Sequence, residues 1–468
     1  VAVVGAVLIV AGSTLPGTAV AAGGPAVAAS GPSSAPPPTL TATAPATTPA
    51  AGSSGVLDPT FGTGGSVSLP GGEAIAAGPN GSLWVLGTVV YTNGVSRYLN
   101  RFTSTGAHDP TFTGPFETSN AADLTTGPLI TNPGGGASFA VNMCCATKKP
   151  PTSQVAVHTV SAAGKRLTGK AGTASWAVAG LVAKPSADAD YVLGGVVRLS
   201  DGRMRACVSV YPGGSADPFA ALVGFAADGS IDAGVGAKDT SMPSPGWTRL
   251  PGLDDCGFAS AGLQQLFVDA KDRIYVVGTA TGVTPSGARV VRTSASGVVD
   301  TSYGVGGRAT IEATTRSYSP LTGVIARGGT LYLGMSSRDT ANGSSAVATV
   351  VKLTSSGRRD AGFGSHGVSR LFPKGGASEL DSIGTLPGDR LVLGLVYTSG
   401  GKRSGRLSAI TAATAAKAPA FGTDGTITSG MLTWDTLVQD GRLLTIGSVL
   451  PADPGAFLGS TVLQRRTL

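Results

Sequence analysis

The stretch "LDPTFGTGG", residues 57–65, sets a run of glycines behind one phenylalanine, a texture shared with phosphate-binding loops. A P-loop needs G-x-x-x-x-G-K-[ST], and no such lysine stands here. The dinucleotide fingerprint also fails, because Val67 follows Gly62 and Gly64 where the third glycine belongs. The alternating "SVSLP" beyond reads as a strand, not as the helix whose N-terminus holds an anion. Other residues able to do chemistry are sparse. The histidines are His108, His158 and His366, and neither H-E-x-x-H nor G-x-S-x-G occurs. The four cysteines, Cys144, Cys145, Cys207 and Cys256, lack the C-x-x-C spacing and nearby histidine of a zinc site. Aspartates in "DADY" and "DAKDR" are weak calcium candidates beside their role in turns. No metal, no cofactor and no catalytic residue is expected from these patterns. The enzymatic alternative is a glycoside hydrolase or lyase whose carboxylates come from distant parts of the chain.

The glycine stretch is punctuation, because it recurs. "HDPTFTG" (108–114), "VVDTSYGVGG" (298–307), "RRDAGFGSHG" (358–367) and "KAPAFGTDG" (417–425) repeat it, and "KRLTGKAG" and "SIDAGVGA" are decayed relatives. Phe61 to Phe112 spans 51 residues, Tyr303 to Phe363 spans 60 and Phe363 to Phe421 spans 58, the period of a blade or solenoid unit. Two strand types recur in phase, seven times each: an apolar one ("SLWVLGTV", "YVLGGVV", "RIYVVGT") and an alternating one ("YLNRFTSTG", "ARVVRTSASG", "TVVKLTSSG"). A short segment such as "AIAAGPNG" or "LFVDAKD" precedes the apolar strand. Each unit is therefore four short strands. Asp58, Asp109, Asp300 and Asp360 are placed to close Asx turns, and Gly62 supplies a positive φ. Phe61, Phe112, Tyr303, Phe363 and Phe421 should plug the gaps between neighbouring sheets.

Sheets this short must stack to bury both faces, and seven is a usual blade number. The chain ends in a third strand, "TVLQRRTL", while "GSVSLP" near its start is a lone fourth strand. Their pairing predicts an all-β, seven-bladed propeller of four-stranded antiparallel blades over residues 56–468, closed by the N-terminal strand joining the C-terminal blade. The units resemble the delta-60 repeat family, whose D-x-S/T-F-G-x-G-G turn is matched best by "LDPTFGTGG", "VVDTSYGVGG" and "AFGTDG". The second, third and fourth units depart from that pattern. The resemblance covers about residues 57–468. It implies a propeller-like protein, exported or at a bacterial surface, and brings no catalytic residues.

Residues 1–22 read as a signal peptide or apolar leader, with A-x-A sites after "VAVVGAVLIVAG". Residues 23–55, rich in Pro, Ala, Thr and Ser, read as a disordered linker. A secreted or cell-surface chain without a membrane span in its mature part is expected. Its cysteines should then meet an oxidising compartment. Cys207–Cys256 is the favoured disulfide, with Cys144 and Cys145 either vicinal or cross-paired. The net charge of +7 is spread without a basic block or aromatic RNA-binding motif, so no nucleic-acid partner is expected.

Connections between second and third strands, and from the fourth to the next first strand, share one face. The long ones there are "MCCATKKPPTSQ", "RLSDGRMRACVSVYPGGSADPF" and "KDTSMPSPGWTRLPGLDDCGFASAG". Variable loops on a rigid scaffold are where binding resides. Lys148, Lys149, Arg203, Arg205, Trp247 and Arg249 are the candidate contacts. The expectation is a monomeric, non-catalytic scaffold binding a protein, glycan or wall polymer. The competing readings are the enzyme above and a purely structural envelope protein.

Overall fold

The computed structural model describes residues 55–468 apart from 92–93, 113–115, 119–122, 127–128, 133, 144–153, 166–172, 178–189, 213–216, 228–229, 237–244, 257–264, 280–287, 312–315, 327, 340–345, 372–375 and 451–459. The expected leader and linker lie outside the described residues, apart from Gly55. Short Val- and Thr-rich segments between glycine turns pair into seven antiparallel sheets. The first strands of blades one to seven are Ala74–Ala77, Asp123–Thr126, Asp190–Arg198, Leu266–Val268, Arg316–Ala326, Ala377–Leu386 and Met431–Gln439. Blade two carries an extra piece, Ile130–Thr131, on the same second strand. First strands of adjoining blades lie against one another from blade two round to blade seven and on to blade one, and blade one meets blade two through Ile130–Thr131. The result is a closed seven-bladed propeller with its first strands around the axis.

The core sits between blades, not within them. Among the described residues seven buried apolar clusters form, one at each interface between neighbouring blades. One joins Phe61, Leu69 and Leu463 of blade seven to Ile75, Leu83 and Val85 of blade one. Closure uses the last blade's vacant edge, as the termini predicted. Ser66–Leu69 pairs antiparallel with Thr461–Thr467, from Ser66 opposite Gln464 to Leu69 opposite Thr461. Gly55 donates to the Thr467 carbonyl at 2.7 Å and Asp58 to that of Arg465 at 2.8 Å.

The repeated turn is a clasp between blades. In "DPTFG" the Asp58 carboxylate accepts the Thr60 N–H and hydroxyl, at 3.0 and 2.7 Å. Phe61 is fully buried, and the Gly62 N–H donates at 2.7 Å to Thr105, in the third-to-fourth turn of the next blade. Gly304, Gly364 and Gly236 donate in the same way to Ser356, Thr414 and Ser296. Gly62 holds φ +54°, where a Cβ would stand 2.2 Å from the Ser66 carbonyl oxygen, so glycine is required. A third-strand cation completes the device. Arg292 donates to Asp300 at 2.9 Å, to the Ser355 carbonyl of the next blade at 2.6 Å, and lies 4.5 Å from the Tyr303 ring centre. Arg101 repeats this with Asp109 and the Ala162 carbonyl, and Lys352 with Asp360 and that of Ala413. Arg465 does so with Asp58 and the Ser104 carbonyl.

Blade three corrects the sequence reading. "YVLGGVV" is not its second strand but lies in its first, Asp190–Arg198; the second is Met204–Tyr211 and the third Phe219–Phe225. Residues 199–203 are therefore a first-to-second turn on the clasp face. Arg203 and Arg205 do not belong to the loop-rich face. Gly224 occupies the place of Arg292, since its carbonyl accepts the Asp232 N–H as that of Arg292 accepts Asp300. A side chain there would collide with Val235, the residue in the aromatic's position. Arg205 fills the gap from the second strand. It is fully buried, donates to Asp232 at 2.6 Å and to the Ala295 carbonyl of blade four at 2.7 Å. In blade six the cation and the acid vanish together, replaced by Ala409 and Ala418.

Burial would raise the Asp58 carboxyl, but the Thr60 hydrogen bonds, Arg442 and Arg465 outweigh it and lower it to about 2. The lowered value means stability is present above the ordinary carboxyl range near pH 4 and lost as pH falls through 2. Asp58→Asn should cost about 2 kcal/mol at pH 7 and little near pH 2, measured by urea denaturation at both. An equal loss at both pH values would show that the ion pairs are not the source.

Candidate functional site

Of the candidate contacts, Lys148 and Lys149 lie outside the described residues, as do Cys144 and Cys145. Trp247 is 1% exposed and stacks with Phe219 at 6.4 Å between centroids, as a core residue of blade three's fourth strand, Trp247–Arg249. Arg249 is exposed on that strand, its guanidinium 4.6 Å from the Phe219 ring centre. Arg203 pairs with Asp201 at 2.7 Å and Asp232 at 3.2 Å. The described four, Arg203, Arg205, Trp247 and Arg249, are not brought together on one surface. "DAKDR" is a closed turn: Asp269 accepts from the Lys271 and Arg273 N–H groups, the Arg273 Nε and the Tyr275 hydroxyl. Among the described residues no group of three His, Cys, Asp or Glu is placed to hold a metal ion.

The loop-rich face begins with a pinned segment. Cys207 and Cys256 form a disulfide, both fully buried, though Cys207 is mid-strand and not in a loop. The Cys256 N–H donates to Ser209 Oγ at 2.9 Å, and the Thr279 hydroxyl to Asp255 at 2.7 Å. Leu250 and Leu253 are buried beneath the connection. A crosslink with 49 residues of separation restricts the unfolded chain by roughly 4 kcal/mol in the chain-entropy treatment. Denaturation of the Cys207→Ala/Cys256→Ala double variant against the oxidised chain should show a loss near that size.

The channel wall holds what sequence reading missed. Five of the first strands carry a β-bulge, an extra residue in one strand of the pair. The pairing skips at 123/125, 193/195, 319/321, 380/382 and 433/435. In blades five, six and seven the extra residues are Pro320, Asp381 and Trp434. Asp381 is half-buried and accepts no hydrogen bond from any described residue, while burial and the neighbouring Glu379 push its carboxyl up to about 7 against a smaller opposing pull from Arg403. Asp435, next to the blade-seven bulge, is raised to about 6 by burial despite accepting the Ile75 N–H at 3.0 Å and the Thr436 N–H at 2.7 Å. Asp435 thus ties blade seven to blade one. The hydroxyls of Ser382, Thr433 and Thr436 are buried between blades six and seven without a partner among the described residues.

A raised carboxyl reverses the sign found for Asp58. The folded protein holds the Asp381 proton better than the unfolded chain, so the burden of its charge is present above pH 7 and disappears as pH falls toward 4. Asp381→Asn should raise stability by about 1–3 kcal/mol at pH 8 and change it little near pH 4. Thermal melts across that range test this, and an unchanged difference would refute it.

No protein-family model and no curated protein matches the chain. Solved structures with a similar chain trace include a protein of unknown function from Dyadobacter fermentans DSM 18053, with 12% identity and a TM-score of 0.40 over 74% of this chain and 95% of that one. The xylan beta-1,4-xylosidase from Bacillus halodurans C-125 gives 10% identity and 0.31, over 88% and 97%. Drosophila Semaphorin 1b, extracellular domains 1–2, gives 9% and 0.30, over 84% and 72%. At these levels the similarities bear on no function.

Proposed function

We propose that the chain is an exported, non-catalytic propeller of the delta-60 repeat kind that binds a protein, glycan or wall polymer at the cell envelope through its loop-rich face. The observation that carries this reading is an asymmetry between the two faces. On one, Asp, aromatic, glycine and cation are spent joining blade to blade. On the other, second-to-third connections range from 400–401 to 450–460, and fourth-to-first connections from 429–430 to 250–265. Lengths free to vary on a fixed frame are the usual basis of recognition. A disulfide fits an oxidising compartment.

The enzymatic alternative draws on Asp381, whose raised carboxyl suits proton transfer. Asp435, on the adjoining first strand, is committed to two backbone N–H groups, one of them in blade one, which supports a structural role for it.

Replacing 144–153 and 451–459 by the two-residue Gly-Gly of 400–401 tests the reading. Retention of the wild-type melting temperature with loss of binding to purified envelope and glycan panels is expected. Undiminished binding by the trimmed protein would overturn the assignment of the face.

A further inference from the structure

Trp434 and Asp381 occupy equivalent bulges on neighbouring innermost strands, and neither is used by the fold. Trp84 and Trp247 are buried in aromatic pairs. Trp434 is half-buried and makes no ring contact or hydrogen bond with any described residue. An innermost strand is covered by its partner strand and by both neighbouring blades, so its residual exposure is toward the channel. Behind the two bulges, Ser382 and Thr433 are 2% and 0% exposed, and their hydroxyls have unused hydrogen-bonding capacity. The adjoining first strands of blades six and seven thus each release one side chain from the pairing, a carboxyl and an indole, with unpartnered hydroxyls buried between the two blades. Both bulges lie in the half of the strand that starts at the loop-rich face or at its midpoint.

We propose that Trp434 and Asp381 form a subsite for one unit of a neutral, polyhydroxylated ligand, a sugar residue, entering the channel from the loop-rich face. This rests on the binding reading above and names its ligand class. The indole offers an apolar face to the C–H side of a pyranose ring. The Asp381 carboxyl accepts from ring hydroxyls, and when protonated it also donates to them. With the carboxyls of Asp381 and Glu379 beside Arg403, the spot carries no positive excess to draw an anionic ligand, and the chain's net charge of +7 opposes a cationic one at longer range. A polyol satisfies both conditions.

Titration calorimetry of the full chain with cellohexaose, chitohexaose and maltohexaose, and separately with choline chloride, tests the subsite. At least one hexasaccharide should bind, with affinity lowered about tenfold in Trp434→Ala and less in Trp434→Phe. Asp381→Asn should weaken binding several-fold. Thermal melts confirm that each variant is folded, and intrinsic fluorescence of Trp434→Phe reports whether that indole is the one perturbed. Equal hexasaccharide binding by wild type and Trp434→Ala would overturn the subsite while leaving the loop-rich face in place. Binding of no hexasaccharide, or of choline in a Trp434-dependent way, would overturn the ligand class. Loss of binding in the loop-trimmed protein, with Trp434→Ala unaffected, would confine recognition to the loops and also overturn it.

Discussion

A single constraint runs through the molecule: no blade can hide its own two faces, so each must be fastened to the next. The fastening is ionic, aromatic and backbone chemistry in one short turn. An aspartate closes the turn, an aromatic fills the seam, and a glycine N–H reaches the neighbouring blade's turn. A cation then joins its own blade's acid to the next blade's carbonyl. Buried charge of this kind is costly if left alone, which explains why the acid and cation are lost as a pair in blade six. It also explains Arg205, which supplies from another strand the charge that Gly224 cannot carry.

Because that turn is written in few residue types, the architecture was legible in the chain. Asp58, Phe61, Gly62 and their recurrences marked every blade boundary except those that had decayed. The closing strand was legible for the same reason, since a lone fourth strand and a missing one are complementary. Blade three was misread because "YVLGGVV" imitates the apolar second strand, while the true one carries a buried arginine in an aromatic's place. The turn "LSDGR" between them, five residues like "DAKDR", was the available signal. The disulfide partners were identified, though Cys207 reaches its position from a strand.

Asp381 and Trp434 were beyond sequence reading for a physical reason. A bulge adds one residue without changing composition, and only the pairing register reveals which side chain has been displaced from the alternation. Read as a regular strand, "ELDSIG" places Asp381 among ordinary alternating residues. The same insertion that disrupts pairing frees a side chain from packing. Local irregularity in the inner ring is thus where this rigid scaffold retains side chains that its own assembly does not consume.

The hydrogen bond between Gly55 and Thr467 has a geometric corollary. Thr467 ends a strand that runs toward the clasp side, so the polypeptide joins the ring there, at its outer margin. The seam of the ring is therefore sewn on the clasp side, and the connections of variable length emerge on the opposite side.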